Sequence, residues 1–141
     1  MNYPRSPYDR SVADTMHWAR LIDKIRQHHA GELPEEFVAA LGHPQGVDGH
    51  FLGHFGLTIE QAIQAVTGKT DAELAGWLEM SVDGFETKRC AWNELAPNLG
   101  RQGYPMDRML KIAMKRLYKG FDWSPEMSVF ELIDRDEGRS S

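Results

Sequence analysis

An all-α fold, six or seven short helices in one compact orthogonal or bundle-like domain, is predicted by three observations on this sequence. Apolar residues recur at helical spacing along most of the chain. Three pairs, Thr58 with Gln61, Thr70 with Glu73 and Asp83 with Glu86, have capping-box spacing, in which an N-cap side chain and a residue three places on satisfy each other's exposed backbone N–H groups. No segment longer than three or four residues alternates as a half-buried strand would, and no internal repeat is present.

Residues 1 to 10 hold Pro4 and Pro7, which disfavour helix, with Tyr3 and Tyr8 able to anchor an extended arm. The first helix is expected from about Ser11 or Asp14 to Gly31. Trp18, Leu21, Ile22, Ile25 and His29 fall on one stripe, and Arg20, Asp23, Lys24 and Gln27 fall opposite. Pro34 suits the first turn of a short second helix, with Phe37, Val38 and Leu41 spaced for burial. The turn formers of Gly42 to Gly49 read as the main loop, and Asp48 can cap the segment after it. His50 to Phe55 is predicted as a turn or short helix, since glycine costs about 1 kcal/mol in a helix interior.

Helices are expected at about 59 to 67 and 71 to 80, with Ile59, Ala62, Ile63 and Val66 buried in the first and Leu74, Trp77 and Leu78 in the second. Another should run from Asp83 to Pro97, burying Phe85, Trp92 and Leu95. Pro105 opens a strongly periodic helix to Lys119, closed by Gly120, with Met106, Met109, Leu110, Ala113, Met114 and Leu117 on its apolar side. Ser124 before Pro125 starts the last helix, which packs Met127, Phe130 and Ile133 before the tail frays from residue 137 to 141.

The 141 residues suit one ordinary domain, with 41% hydrophobic and 26% charged residues and no apolar run of membrane-spanning length. A single cysteine makes no internal disulfide, and MNYPRSPYDR has no apolar stretch to act as a secretory signal, so a soluble cytoplasmic protein is expected. The net charge of −5 argues against a general nucleic-acid binder.

Four constellations are candidates for chemistry. His50 and His54, spaced i, i+4 in HFLGH, could share a metal, but no glutamate stands between them and the third ligand is undefined, so surface or partly packed histidines are the expectation. Cys90 comes after Lys88 and Arg89, which favour a thiolate, yet no histidine base accompanies it. Arg108, Lys111, Lys115 and Lys119 make a basic stripe without the interleaved aromatics of a nucleic-acid binder; the acidic residues Asp122, Glu126, Glu131, Asp134, Asp136 and Glu137 offer it an internal partner. DRDEG near the end lacks the distal glutamate of a calcium loop, and no glycine cluster forms a phosphate-cradling loop.

The fourth is the polar back of the first helix. Arg20, Asp23 and Lys24 are a solvated face unless something covers them; Arg5, Asp134, Asp136 and Glu137 could then complete a charged cluster, as a structural clasp or around a small anionic ligand.

Pro4-Arg5-Ser6-Pro7-Tyr8, Trp18 with ARLIDKIR, and Gly31, Leu33 and Pro34 resemble the opening of the small bacterial family catalogued as domain of unknown function 5069. Asp48 and Gly49 before Phe51 and Leu52, Trp92 with Asn93, and the ending from Ile133 to Arg139 fit the same pattern. The resemblance spans almost the whole chain and implies a single domain, with no established activity, cofactor or catalytic residue to transfer. It also implies that His50 and His54 are peculiar to this chain.

The function these features favour is a non-enzymatic binding or interaction domain, with Arg5, Arg20, Asp23, Lys24, Asp134 and Asp136 as the binding residues. No cofactor is implied, and the partner is a small anion or another protein. The alternatives are a small enzyme that orients an anionic metabolite with Arg5, Arg20 or Lys24 and uses Asp23 as acid or base, and a weak nucleic-acid binder through the stripe at 108 to 119.

Overall fold

The computed structural model describes residues 2–117 and 124–139, the side chains of 115–117 excepted. Lys119, Gly120 and Asp122, and the side chains of Lys115 and Arg116, lie outside the described residues. Among the described residues the fold is all-helical: α1 (Trp18–His29), α2 (Glu35–Ala40), α3 (Val47–Phe55), α4 (Ile59–Val66), α5 (Asp71–Ser81), α6 (Phe85–Leu95), a 3₁₀ turn (Ala96–Asn98), α7 (Asp107–Leu117) and α8 (Val129–Asp136). Among the described residues eight α-helices thus stand where six or seven were expected, because the glycine-rich 47–55 segment, expected as a turn or short helix, closes into a nine-residue helix. None is long and apolar enough to cross a membrane. The chain divides into two compact units, one ending at Asn93 and the other starting at Glu94.

In the first unit α1 packs on α4, and α4 on α5. Trp18, Leu21, Ile22 and Ile25 are buried as their spacing predicts, whereas His29 is exposed. An aromatic cluster continues this core. Trp18 stacks on Phe51 with ring centroids 5.7 Å apart, Phe51 meets Phe55 at 5.0 Å, and Trp92 of α6 lies edge-on to Phe51 at 5.5 Å. Such arrangements match the ring quadrupoles and add about 0.5–1.5 kcal/mol per pair beyond burial. Thr58 and Thr70 form complete capping boxes with Gln61 and Glu73.

α1 begins at Trp18, well after the predicted Ser11 or Asp14. Ala13, Asp14 and His17 have positive φ, and this irregular stretch is held by partners distant in sequence. The Trp92 indole N–H donates to the Met16 carbonyl at 2.8 Å, and the Asn93 amide spans the Met16 N–H and the Asp14 carbonyl. Helical periodicity runs through 11–17, but these tertiary bonds prevail over local preference. α2 buries none of its residues, and the predicted Val38 is exposed.

In the second unit the 3₁₀ turn packs on α8, and the Val129 N–H donates to the Leu99 carbonyl at 2.7 Å. Gly100 has φ +92°, and an added Cβ would stand 2.7 Å from both Leu110 and Val129, so a side chain is excluded here on two counts. α8 starts at Val129 rather than at Ser124, because Ser128 and Glu131 form the capping box while Ser124 to Met127 close a turn before it.

Candidate functional site

Burial, not exposure, is the fate of half the charged back of α1. Lys24 is 6% exposed and Asp48 of α3 is 1% exposed. The Lys24 ammonium donates to Asp48 Oδ2 at 2.6 Å, and His17 Nε2 lies 2.6 Å from Asp48 Oδ1. The Gly42 N–H adds a third bond, 2.9 Å from Asp48 Oδ2. Burial pushes the Asp48 carboxyl up, but the His17 hydrogen bond and the Lys24 charge outweigh it and hold the group well below the usual carboxylate range. Burial also pushes His17 down, beyond what its bond to Asp48 restores, which favours the neutral ring donating Nε2–H to Asp48.

Asp48 reaches this place because α3 begins one residue before it. The predicted cap is instead a first-turn residue facing inward. Gly49 permits the turn: a Cβ there would stand 2.3 Å from the His43 carbonyl oxygen.

A second network lies nearer the surface. Asp23 accepts three hydrogen bonds from Arg5, from its backbone N–H at 2.8 Å, Nε at 2.9 Å and Nη2 at 3.1 Å. Asp71, at the start of α5, accepts from Arg5 Nη1 at 3.0 Å and from Arg26 Nη1 at 2.9 Å. The other Arg26 branch donates to the Lys69 carbonyl at 2.9 Å. Burial pushes Asp71 up, and the two guanidiniums more than reverse it. Arg5 is lowered by burial but raised overall by Asp23 and Asp71. Arg20, also buried, donates from Nη1 to the Arg5 carbonyl at 3.2 Å and stands 5.8 Å from the Phe37 ring centre.

The geometry therefore joins Arg5, Arg20, Asp23 and the N-terminal arm, and joins Lys24 to a different acid. In the second unit Asp134 accepts from Arg139, which also pairs with Glu137. Asp136 is exposed at the end of α8. Sequence reasoning missed Asp48 as a core acid, His17 as its partner and Asp71 as the bridge between Arg5 and Arg26. The capping-box spacing at Thr70 points to helix initiation, and no spacing signal ties residues 48 or 71 to 24 or 5.

His54 donates from Nε2 to the Lys88 carbonyl, 2.7 Å away, and rests against Trp92. Among the described residues, no three of His, Cys, Asp and Glu are grouped as a metal centre would require. Cys90 is exposed, with Arg89 donating weakly to its sulfur at 3.5 Å.

The basic stripe survives in part as a cleft in the second unit. Arg108 and Lys111 line a cavity of about 240 Å³ together with Gly100, Gln102, Asp107 and Pro125. The cleft wall is fixed by the Gln102 N–H, which donates to the Pro125 carbonyl at 2.9 Å, and by Asp107, which accepts from the Gly103 N–H at 3.0 Å. Among the described residues, neither the Arg108 guanidinium nor the Lys111 ammonium has an ion-pair partner.

No curated protein matches the chain. The family model described as Domain of unknown function (DUF5069) matches residues 1–139, and the chain belongs to that family.

Proposed function

We propose that the protein is a non-catalytic binding domain, in which the charged back of α1 is architecture and the Arg108–Lys111 cleft receives a small anion such as a phosphate or carboxylate. The observation that carries this reading is the contrast between the two sets of charges. Asp23 accepts three bonds from one arginine and Asp48 is paired with Lys24 and His17, whereas Arg108 and Lys111 line a concave space, shared with Asp107, without an ion pair among the described residues. A guanidinium and an ammonium one helical turn apart suit an anion, and the Gln102 side chain adds polar capacity at the rim.

An enzymatic role for Asp23 has less support. A general acid or base must reach a substrate proton, and the Asp23 oxygens are engaged by Arg5.

The test is calorimetric titration with inorganic phosphate, sulfate and citrate at low ionic strength, on the wild type and on the double variant R108Q/K111Q. Saturable binding that weakens at least tenfold in the variant and falls with added salt is expected. Equal heats for both proteins would reject the cleft.

A second reading, docking of another protein chain on α7, is favoured by Met109 and Ile112, which are 44% and 55% exposed beside those cations. The double variant M109S/I112S separates the two: it should leave anion binding unchanged and abolish any self-association seen by sedimentation.

A further inference from the structure

The first unit holds another space with an uncommitted charge. Lys69 comes directly after the Gly68 turn at the end of α4, and its side chain lines two cavities. One, about 360 Å³, is shared with Gln61, Gln64, Trp77 and Ser81. The other, about 320 Å³, is shared with Ile25, Arg26 and His29. Lys69 is half-buried, and among the described residues no carboxylate lies within ion-pair distance of its ammonium. Glu73 feels its charge, but makes no ion pair with it and gives its Oε1 to the Thr70 cap. The Lys69 backbone is fixed by Arg26, whose guanidinium bridges the Lys69 carbonyl and Asp71. A half-buried lysine without an ion pair among the described residues, on the wall of a cavity, is a ready partner for an anionic group.

Trp77 supplies an aromatic wall to the same space. Its ring is half-buried and stacks on Trp18 at 5.9 Å and 24°, and Trp18 stacks in turn on Phe51. The indole is therefore held by the aromatic core, and a rigid aromatic wall costs little entropy when it receives a planar ring. The rim is polar on the same cavity. Gln61 spends its carbonyl oxygen on the Thr58 N–H and keeps its amide N–H₂ group to donate. Gln64 and Ser81 are also at that rim.

From this combination we propose that the cavity walled by Lys69 and Trp77 binds a planar heterocyclic monophosphate, of the nucleoside monophosphate class, with the ring against Trp77 and the phosphate on Lys69. The volume fits a ligand of that size, since small-molecule pockets run from about 300 to 1,000 Å³. The site is separate from the Arg108–Lys111 cleft and does not depend on it.

Trp77 also provides the readout. Trp18 and Trp92 are fully buried and Trp123 lies outside the described residues, so a ligand in this cavity should quench the emission of Trp77, and W77F assigns the quenching to it. The experiment titrates the full chain with adenosine, guanosine, cytidine and uridine monophosphates, with the parent nucleosides and with inorganic phosphate, and monitors tryptophan fluorescence. Saturable quenching by at least one monophosphate is expected, at least tenfold weaker for its nucleoside. K69M should weaken binding at least tenfold, W77F should remove the quenching, and R108Q/K111Q should change neither. Circular dichroism and thermal melts of each variant establish that it is folded. Absence of saturable quenching by every monophosphate, or quenching that K69M leaves intact, would overturn the proposal. Quenching lost in R108Q/K111Q rather than in K69M would overturn it in favour of the other cleft.

Discussion

At the scale of single residues, Asp48 decides more than any other side chain described. It is buried at the meeting of α1 and α3, and its two oxygens are used by His17, Lys24 and the Gly42 N–H. Removing one partner of such a set leaves a buried charge uncompensated, which costs about 3–5 kcal/mol. D48N is therefore expected to destabilise the protein by that amount in urea denaturation, with Lys24 left facing a neutral amide. K24M leaves the Asp48 carboxylate, 1% exposed, with only the neutral donors His17 and Gly42, and a comparable loss is expected. The neighbouring glycine carries a related constraint. G49A places a methyl group against the His43 and Pro44 backbone, and backbone cannot yield as a flexible side chain does. A loss of about 1–3 kcal/mol is expected from overpacking, and unchanged stability would mean that the 43–49 turn relaxes freely. Neither role was legible in the sequence, where Asp48 read as a cap and Gly49 as a loop former. Both residue types favour turns for local reasons, and only the packing of α3 on α1 turns the carboxylate inward.

At the scale of elements, local chemistry was readable where both signals lay close in sequence. The capping boxes at Thr58 and Thr70 formed as spaced, because each needs only four consecutive residues. The same spacing at Ser128 and Glu131 was available, but Ser124 before Pro125 drew the boundary four residues early. T58A, T70A and S128A should each cost about 1 kcal/mol, and S128A the most because that hydroxyl is fully buried. Denaturant midpoints at constant m-value would measure this. The start of α1 was illegible for the opposite reason, since its irregular 11–17 segment is held from α6, some 76 residues away in sequence. The N-terminal arm shows the same dependence. It is clasped by Arg5 to Asp23 and Asp71, while the Pro7 carbonyl accepts from the His17 N–H at 2.8 Å. Arg5 matches these carboxylates through a planar fork that lysine lacks, so R5K should release the arm nearly as well as R5A. Amide exchange at Arg5 and His17 is expected to accelerate at least tenfold in both variants, with a global cost of only about 1 kcal/mol because the network is partly exposed. Full protection in R5A would show that the prolines and tyrosines hold the arm alone.

For the molecule as a whole, the sequence made the fold class and most helices legible, and it pointed to Arg5, Arg20, Asp23 and Lys24 as a charged cluster before their partners were known. It did not say which acid takes which cation, because that pairing is set by three-dimensional proximity. Those pairings have one global consequence in the pH dependence of stability. His17 titrates lower in the folded protein than its ordinary value because burial opposes its charge. Below about pH 6.5 the unfolded chain therefore binds a proton at His17 that the native chain refuses, and stability falls as pH falls. Asp48 and Asp71 are likewise held low by their cations, despite burial. Their contribution is complete above the unfolded carboxylate value of about 4 and is lost as pH drops through the native values. Two stages of acid destabilisation are expected, the first from about pH 6.5 downward and a steeper one below about pH 4. Urea unfolding free energies between about pH 8 and about pH 3 would measure them, and D48N should flatten the second stage because the titrating carboxyl is gone. A wild-type profile that stays level over that whole range would mean that neither the buried histidine nor the paired carboxylates differ in proton affinity between the folded and unfolded chain.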